Sequence, residues 1–156
     1  MAKTKKIRLD LDCDEAMTIG LVRQAKAQPY YQFFFEINKL NSFTFKRVED
    51  FTIRYKGTNF SFLCMQSYDH NEKSCYQIIA NKSFETQEST SSELFDTSVK
   101  VHYLLGNQKE VDFLIKIEDS FPDFSLILFP GNSIFAIQEY EIQPEELIYQ
   151  YIQENE

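Results

Sequence analysis

The segment DFTIRYKGTNFSFLCMQSYDHNEKSCYQIIANKSF, residues 50–84, decides the fold class. Phe51, Ile53 and Tyr55 fall on one side of an alternating pattern. Lys56-Gly57-Thr58-Asn59 makes a turn. Phe60, Phe62 and Cys64 resume the alternation. A second polar turn, Tyr68–Lys73, is followed by Tyr76, Ile78 and Ala80. Successive side chains of a β-strand point to opposite faces, so a period of two means strands. Two short turns between three such runs mean an antiparallel meander.

Working outward, Ala16–Val22 reads as a strand, because Thr18, Ile19 and Val22 are β-branched and Gly20 weakens a helix. Pro29 opens the clearest helix, which ends at Asn41-Ser42. Tyr30, Phe33, Phe34, Ile37 and Leu40 recur at helical spacing, and Tyr31 and Phe35 widen the apolar face. Residues 43–48 read as a strand. Glu85–Glu93 is polar and without period, so it reads as a mobile loop, its far end pinned by Leu94 and Phe95. Val99, Val101 and Tyr103 alternate again, and Gly106–Lys109 turns the chain. Val111, Phe113, Ile115 and Ile117 make a half-buried strand with Leu114 as the exception. Pro122–Phe129 suggests a short helix and Ser133–Ile142 a strand. A last helix starts at Pro144 and docks through Leu147, Ile148, Tyr151 and Ile152. At the other end, Ile7, Leu9 and Leu11 suggest a short edge strand.

The expectation is one α+β domain over residues 1–156. It has a mostly antiparallel sheet of six to eight strands, with two or three helices packed on one face. The strand–helix–strand order around Pro29–Asn41 resembles a βαβ unit, and the run from Val111 to Ile142 suggests a second. Phe33, Phe34, Ile37, Phe62, Phe113 and Ile115 are the expected core.

Charge narrows the function. The net charge of −8 disfavours nucleic acid and anionic membranes. Residues 1–60 carry 11 Lys and Arg against 7 Asp and Glu, whereas residues 61–156 carry 5 against 17. The two halves can complement each other within one domain, or the acidic half can meet a basic partner. Only 4 glycines are present, too few for glycine-rich phosphate loops. Cys13, Cys64 and Cys75 form no CxxC pair, and their odd number suits reduced thiols in a cytoplasm. The basic start, Lys3, Lys5 and Lys6, lacks the apolar run of a signal peptide, and no stretch reaches membrane-spanning length.

Three constellations bear on chemistry. Asp10, Asp12, Asp14 and Glu15 are oxygen-rich, but an EF-hand loop would place Gly where Glu15 stands. A solvated strand face accounts for them. Cys64, His70 and Cys75 surround one hairpin, and only distant Cys13 could complete a zinc set. A Cys–His catalytic pair needs His70 to face one thiol. A solvated turn histidine and a small core thiol are the simpler account. Phe43, Phe45, Lys46, Arg47, Arg54 and Lys56 interleave rings and cations as an RNA-binding sheet would. Phenylalanines turned to the helix would remove that reading. No metal, cofactor or catalytic residue is expected.

From Phe84 onward, a polar loop leads to Leu94-Phe95, then Lys100–Leu105, a short turn, and Val111–Ile117. This layout resembles the small uncharacterised bacterial proteins of the IPExxD family. An acidic start and an aromatic helix ending Ile37-Asn38-Lys39-Leu40-Asn41 extend the likeness. The naming motif falls on Leu105, Gly106, Asn107 and Glu110, keeping an apolar first and an acidic last position. The resemblance implies no established activity.

Composition and pattern together favour a non-enzymatic protein-interaction or adaptor module, partnered by another protein or a second copy. The alternatives are a small enzyme or ligand-binding protein with a pocket between sheet and helices, and an RNA-associated factor.

Overall fold

A computed structural model describes residues 16–89, 97–119 and 121–155. The chain runs β1 (Met17–Val22), α1 (Tyr30–Leu40), β2 (Lys46–Arg47), β3 (Phe51–Tyr55), β4 (Thr58–Phe62), β5 (Cys64–Asp69) and β6 (Ser74–Ala80). It continues through β7 (Thr86–Ser89), β8 (Thr97–Lys100), β9 (Phe113–Ile117), a 3-10 turn at Phe124–Leu126, β10 (Gln138–Ile142) and α2 (Leu147–Glu154). Among the described residues, six strands form one antiparallel sheet in the order β10-β1-β9-β6-β5-β2. The hairpins β3–β4 and β7–β8 form separate two-stranded ladders. The expected strand at Ile7–Leu11 lies outside the described residues.

The meander differs from its sequence reading at one point. The run Phe60–Cys64 is broken at Leu63. Before it, β4 pairs with β3, with Ile53 opposite Phe60. After it, β5 pairs with β6 in the main sheet, with Cys64 opposite Ile79. Lys56 and Gly57, both at positive φ, make the two-residue turn between β3 and β4. Leu63 is buried with the other face of the sheet, so alternation alone concealed the change of ladder.

Both faces of the sheet are covered, and this corrects the expectation of helices on one face. Phe33, Phe34 and Ile37 of α1 pack with Tyr76, Ile78, Phe113, Ile115 and Ile117. Ile148, Tyr149, Tyr151 and Ile152 of α2 pack with Ile19, Leu21, Ile79 and Leu114, alongside the β3–β4 rings. Leu114 is thus no exception: it serves the second core. Four successive antiparallel pairings make β1 and β2 parallel, with three strands between them and α1 as the crossing connection. Likewise β9 and β10 run parallel on either side of β1. The segment joining them shares the α1 face, because Phe124 and Ile127 are buried there. Gly20 is required beneath it, since a Cβ would lie 2.9 Å from Phe124 Cδ1.

Several boundaries also shift. Pro122–Phe129 makes only one 3-10 turn, with the Asp123 carboxylate accepting from Ser125 N at 3.0 Å. Phe43 and Phe45 lie in the core rather than in a strand of residues 43–48, which reduces to Lys46–Arg47. Tyr31 and Phe35 face solvent, 68% and 57% exposed, and Leu147 is exposed where Tyr149 is buried. Thr86–Ser89 is a strand paired with β8, not a loop. Its ladder rests on backbone hydrogen bonds, which a polar sequence without apolar period does not reveal. Residues 90–96 lie outside the described ones.

Asparagine side chains repeatedly stand in for backbone. Asn38 donates to Phe45 O and accepts from Phe45 N, and Asn41 does the same with Leu128. Asn155, beyond α2, does so with Thr52 of β3. Asn81, fully buried after β6, accepts from Leu105 N at 2.8 Å and donates to Gln108 O and Val111 O, each at 3.0 Å. Its own backbone bonds Asp112 O and Leu104 N. An amide carries one acceptor and two donors, and here all are used.

Replacing Asn81 by Leu would strip partners from one N–H and two carbonyls. The expected loss is about 3 kcal/mol or more by denaturant unfolding. Phe113→Ala would open a cavity where Phe33 stacks on Phe113 at 5.4 Å, and should cost about 3–5 kcal/mol in the same measurement.

Candidate functional site

Among the described residues, the face of the sheet that carries α2 is covered over only part of its area. Leu114, Ile79 and Cys64 lie side by side under the β3–β4 hairpin and α2. One step along the strands the chemistry changes. Lys116 of β9 faces Gln77 of β6, Gln77 faces Gln66 of β5, and Gln66 faces Lys46 of β2. A polar row therefore crosses four adjacent strands where a covered sheet would carry apolar side chains. Above it lies a cleft of about 880 Å³, walled by Phe51, Tyr149, Ile152 and Asn155 on the hairpin and α2 side. Met17 and Pro122 close further parts of its wall. Glu49, Asp50, Glu118 and Asp119 supply carboxylates to its lining.

Gln77 Nε2 donates to Gln66 Oε1 at 3.2 Å. That bond leaves the Gln66 amide nitrogen and the Gln77 carbonyl oxygen with hydrogen-bonding capacity for a bound molecule. The row combines donors and acceptors at mid-sheet with a lysine at either end. Such an arrangement suits recognition of amide or peptide groups, which present both partners. Of the row, only Lys46 was singled out from sequence, and for another reason. The signal was present, however: Cys64-x-Gln66-x-Tyr68 and Cys75-x-Gln77-x-Ile79 place glutamine on the facing side of two strands.

The sequence-derived constellations separate. Asp10, Asp12, Asp14, Glu15 and Cys13 lie outside the described residues. Cys64 borders the cleft, but Cys75 pairs across from Tyr68, four residues further along the ladder. His70 packs edge-on against Tyr68 at 4.9 Å in the hairpin turn. The structure thus does not gather Cys64, His70 and Cys75 into one site. Among the described residues no cluster of three His, Cys, Asp or Glu side chains could hold a metal. Burial, aided by Asp50, pushes the Cys64 thiol up to about 11, so at neutral pH it is a thiol and not a nucleophilic thiolate. Phe43 and Phe45 are buried beneath α1, with Phe45 5.8 Å from Phe34, and offer no ring to a base. Arg47 lies on the α1 face, held by Asp50 at 3.1 Å and Tyr30 OH at 3.2 Å. Arg54 and Lys56 belong to the β3–β4 hairpin. The basic residues of that set therefore form no continuous strip.

The other histidine is structural. His102 stacks on Phe60 at 5.2 Å and on Tyr55 at 4.7 Å, with Tyr151 edge-on at 6.4 Å. It fastens the hairpin and α2 to the segment after β8. Burial pushes its imidazole below the ordinary histidine range. The unfolded chain then takes up a proton first as pH falls. Stability is complete above the ordinary value and declines as pH drops through about 6.5. Replacing His102 by Phe keeps the stacking and removes the proton. The melting temperature of His102→Phe should fall less than that of wild type between about pH 7.5 and about pH 5.5.

No helix among the described residues is long and apolar enough to cross a membrane. The chain matches no model of a known protein family, no curated protein and no solved structure, so its function is to be read from this geometry.

Proposed function

We propose that this protein is a non-enzymatic binding module that takes a segment of a partner protein into the cleft between the sheet and α2. The polar row Lys46–Gln66–Gln77–Lys116 carries this reading. Four polar side chains on adjacent strands forgo the burial that the same face obtains at Cys64, Ile79 and Leu114. Glutamine amides match the donor and acceptor pattern of a peptide backbone. The cleft lies in the upper part of the range for small-molecule sites, about 300–1,000 Å³, and has room for several residues of chain. The protonated, buried Cys64 and the distance of both histidines from the cleft favour binding over nucleophilic catalysis. The resemblance to the IPExxD proteins, carried by the sequence from Phe84 to Ile117, adds no activity to this reading.

One observation favours a second surface. Tyr31 and Phe35, one helical turn apart, expose their rings on α1, with Lys39 Nζ 4.9 Å from the Phe35 ring. Exposed rings of this kind are common anchors in protein interfaces.

The two surfaces separate in a quantitative affinity capture from native cells. A partner of the cleft should be depleted about tenfold by the double change Gln66→Leu and Gln77→Leu, a loss of about 1.4 kcal/mol in binding. That variant should melt no lower than wild type, because leucine suits the strand face. The same partner should persist with Tyr31→Ser and Phe35→Ser. The reverse pattern would assign binding to α1 and sink the cleft reading.

A further inference from the structure

A second, smaller recess lies on the α1 face, at the end of the sheet where β1 leaves it and β9 begins. Its volume is about 340 Å³. Gln24, Tyr30, Lys82, Tyr103, Lys109 and Asp112 contribute its chemistry. The aromatic walls are braced by cations. The Arg47 guanidinium lies 5.9 Å from the Tyr30 ring and 5.4 Å from the Phe84 ring, which also borders the recess. Lys109 Nζ lies 5.4 Å from the Tyr103 ring. Lys82 is held beside Tyr103 by an antiparallel bridge.

The inner wall carries the more telling feature. Gln24 N donates to Asp112 Oδ2 at 2.7 Å, which fixes the carboxyl beside the Gln24 side chain. Gln24 Nε2 is itself buried and has no hydrogen-bond partner. Buried amide nitrogens are nearly always paired, so one left open at the wall of a recess marks a place for an acceptor from outside. Asp112, held on the Gln24 backbone, supplies an acceptor to the same recess. Two lysines at the same recess stand in the acidic part of the chain, where 5 Lys and Arg face 17 Asp and Glu.

We infer that this recess binds a mononucleotide, with its base between the aromatic walls, the base edge on Gln24 and Asp112, and the phosphate on Lys82 and Lys109. The base-pairing edge of every nucleobase shows a donor beside an acceptor, which the amide and carboxyl complement. Stacking on Tyr30, Phe84 and Tyr103 needs a flat ring, and lysine ammonium groups suit phosphate. The volume is at the low end for small-molecule sites, about 300–1,000 Å³, and admits one nucleotide rather than a strand. This site is separate from the cleft and independent of the function proposed for it.

The test is titration of the isotope-labelled protein, followed by amide spectra, with AMP, GMP, CMP and UMP in turn. Ribose 5-phosphate and adenosine serve as the phosphate without a base and the base without a phosphate. At least one nucleotide should give saturable shifts around Gln24, Lys82 and Asp112, with both fragments weaker by about tenfold or more. The double change Lys82→Ala and Lys109→Ala should weaken the nucleotide about tenfold and leave adenosine unchanged. Gln24→Leu, which keeps the backbone bond to Asp112, should weaken adenosine as well. No saturable shift with any nucleotide at millimolar concentration would overturn the inference. So would equal affinity for ribose 5-phosphate, which would indicate an anion site alone. Binding unaltered in both variants, with their folding intact, would overturn it too.

Discussion

The side chain of Asn81 is the contact on which the sheet depends. It lies at the exit of β6, a central strand, and is wholly buried. Through its amide and its backbone it holds Leu104, Leu105, Gln108, Val111 and Asp112. Those residues lead into β9, the strand that joins β6 to β1. Without that clasp, the segment between β8 and β9 would carry buried carbonyls and N–H groups with no partner. The same device recurs at lower stakes. Asn38 steers the entry to β2, Asn41 ties the end of α1 to Leu128, and Asn155 ties the end of α2 to β3. Four side-chain amides thus do work that longer strands would do elsewhere, which is consistent with how short most of these strands are.

The two cores are divided by the sheet and made differently. On the α1 side the interior is largely aromatic: Phe33, Phe34, Phe43, Phe45, Tyr76 and Phe113 meet in stacked and edge-on pairs, with Phe124 buried beside them. On the α2 side aliphatic residues of β1, β6 and β9 meet the rings of the hairpin. That second core ends where Gln66, Gln77 and Lys116 begin. Apolar side chains at those positions would extend it, each adding about 1.5–3 kcal/mol of burial if covered. A chain that keeps polar groups there retains a recess at the expense of stability, as sites commonly do.

How far this was legible varies with the kind of signal. Strands β3 and β6 and helix α1 follow from period, whereas β4 and β5 merge into one run in it, and the six residues named as core are all buried. The assignment of helices to a single face failed because an alternating pattern shows that a strand has two sides, not which element covers each. Leu114 looked anomalous only because one face was assumed to be wet. The polar strand Thr86–Ser89 and the asparagine clasps escaped notice for a shared reason: both act through backbone geometry, which composition does not record. The row beneath the cleft was visible in each strand separately. Its meaning depends on register, and register emerges only when the strands are paired.

The ends of the sheet have a bearing on how the molecule behaves in a crowd. At one end β2 is two residues long, too short to template another chain. At the other, β10 is longer but carries Glu139 and Glu141 among its five residues. A neighbouring copy approaching β10 edge to edge in antiparallel fashion would bring like charges together. Among the described residues, this border strand therefore opposes edge-to-edge stacking of copies by its own charge, apart from anything that the protein binds.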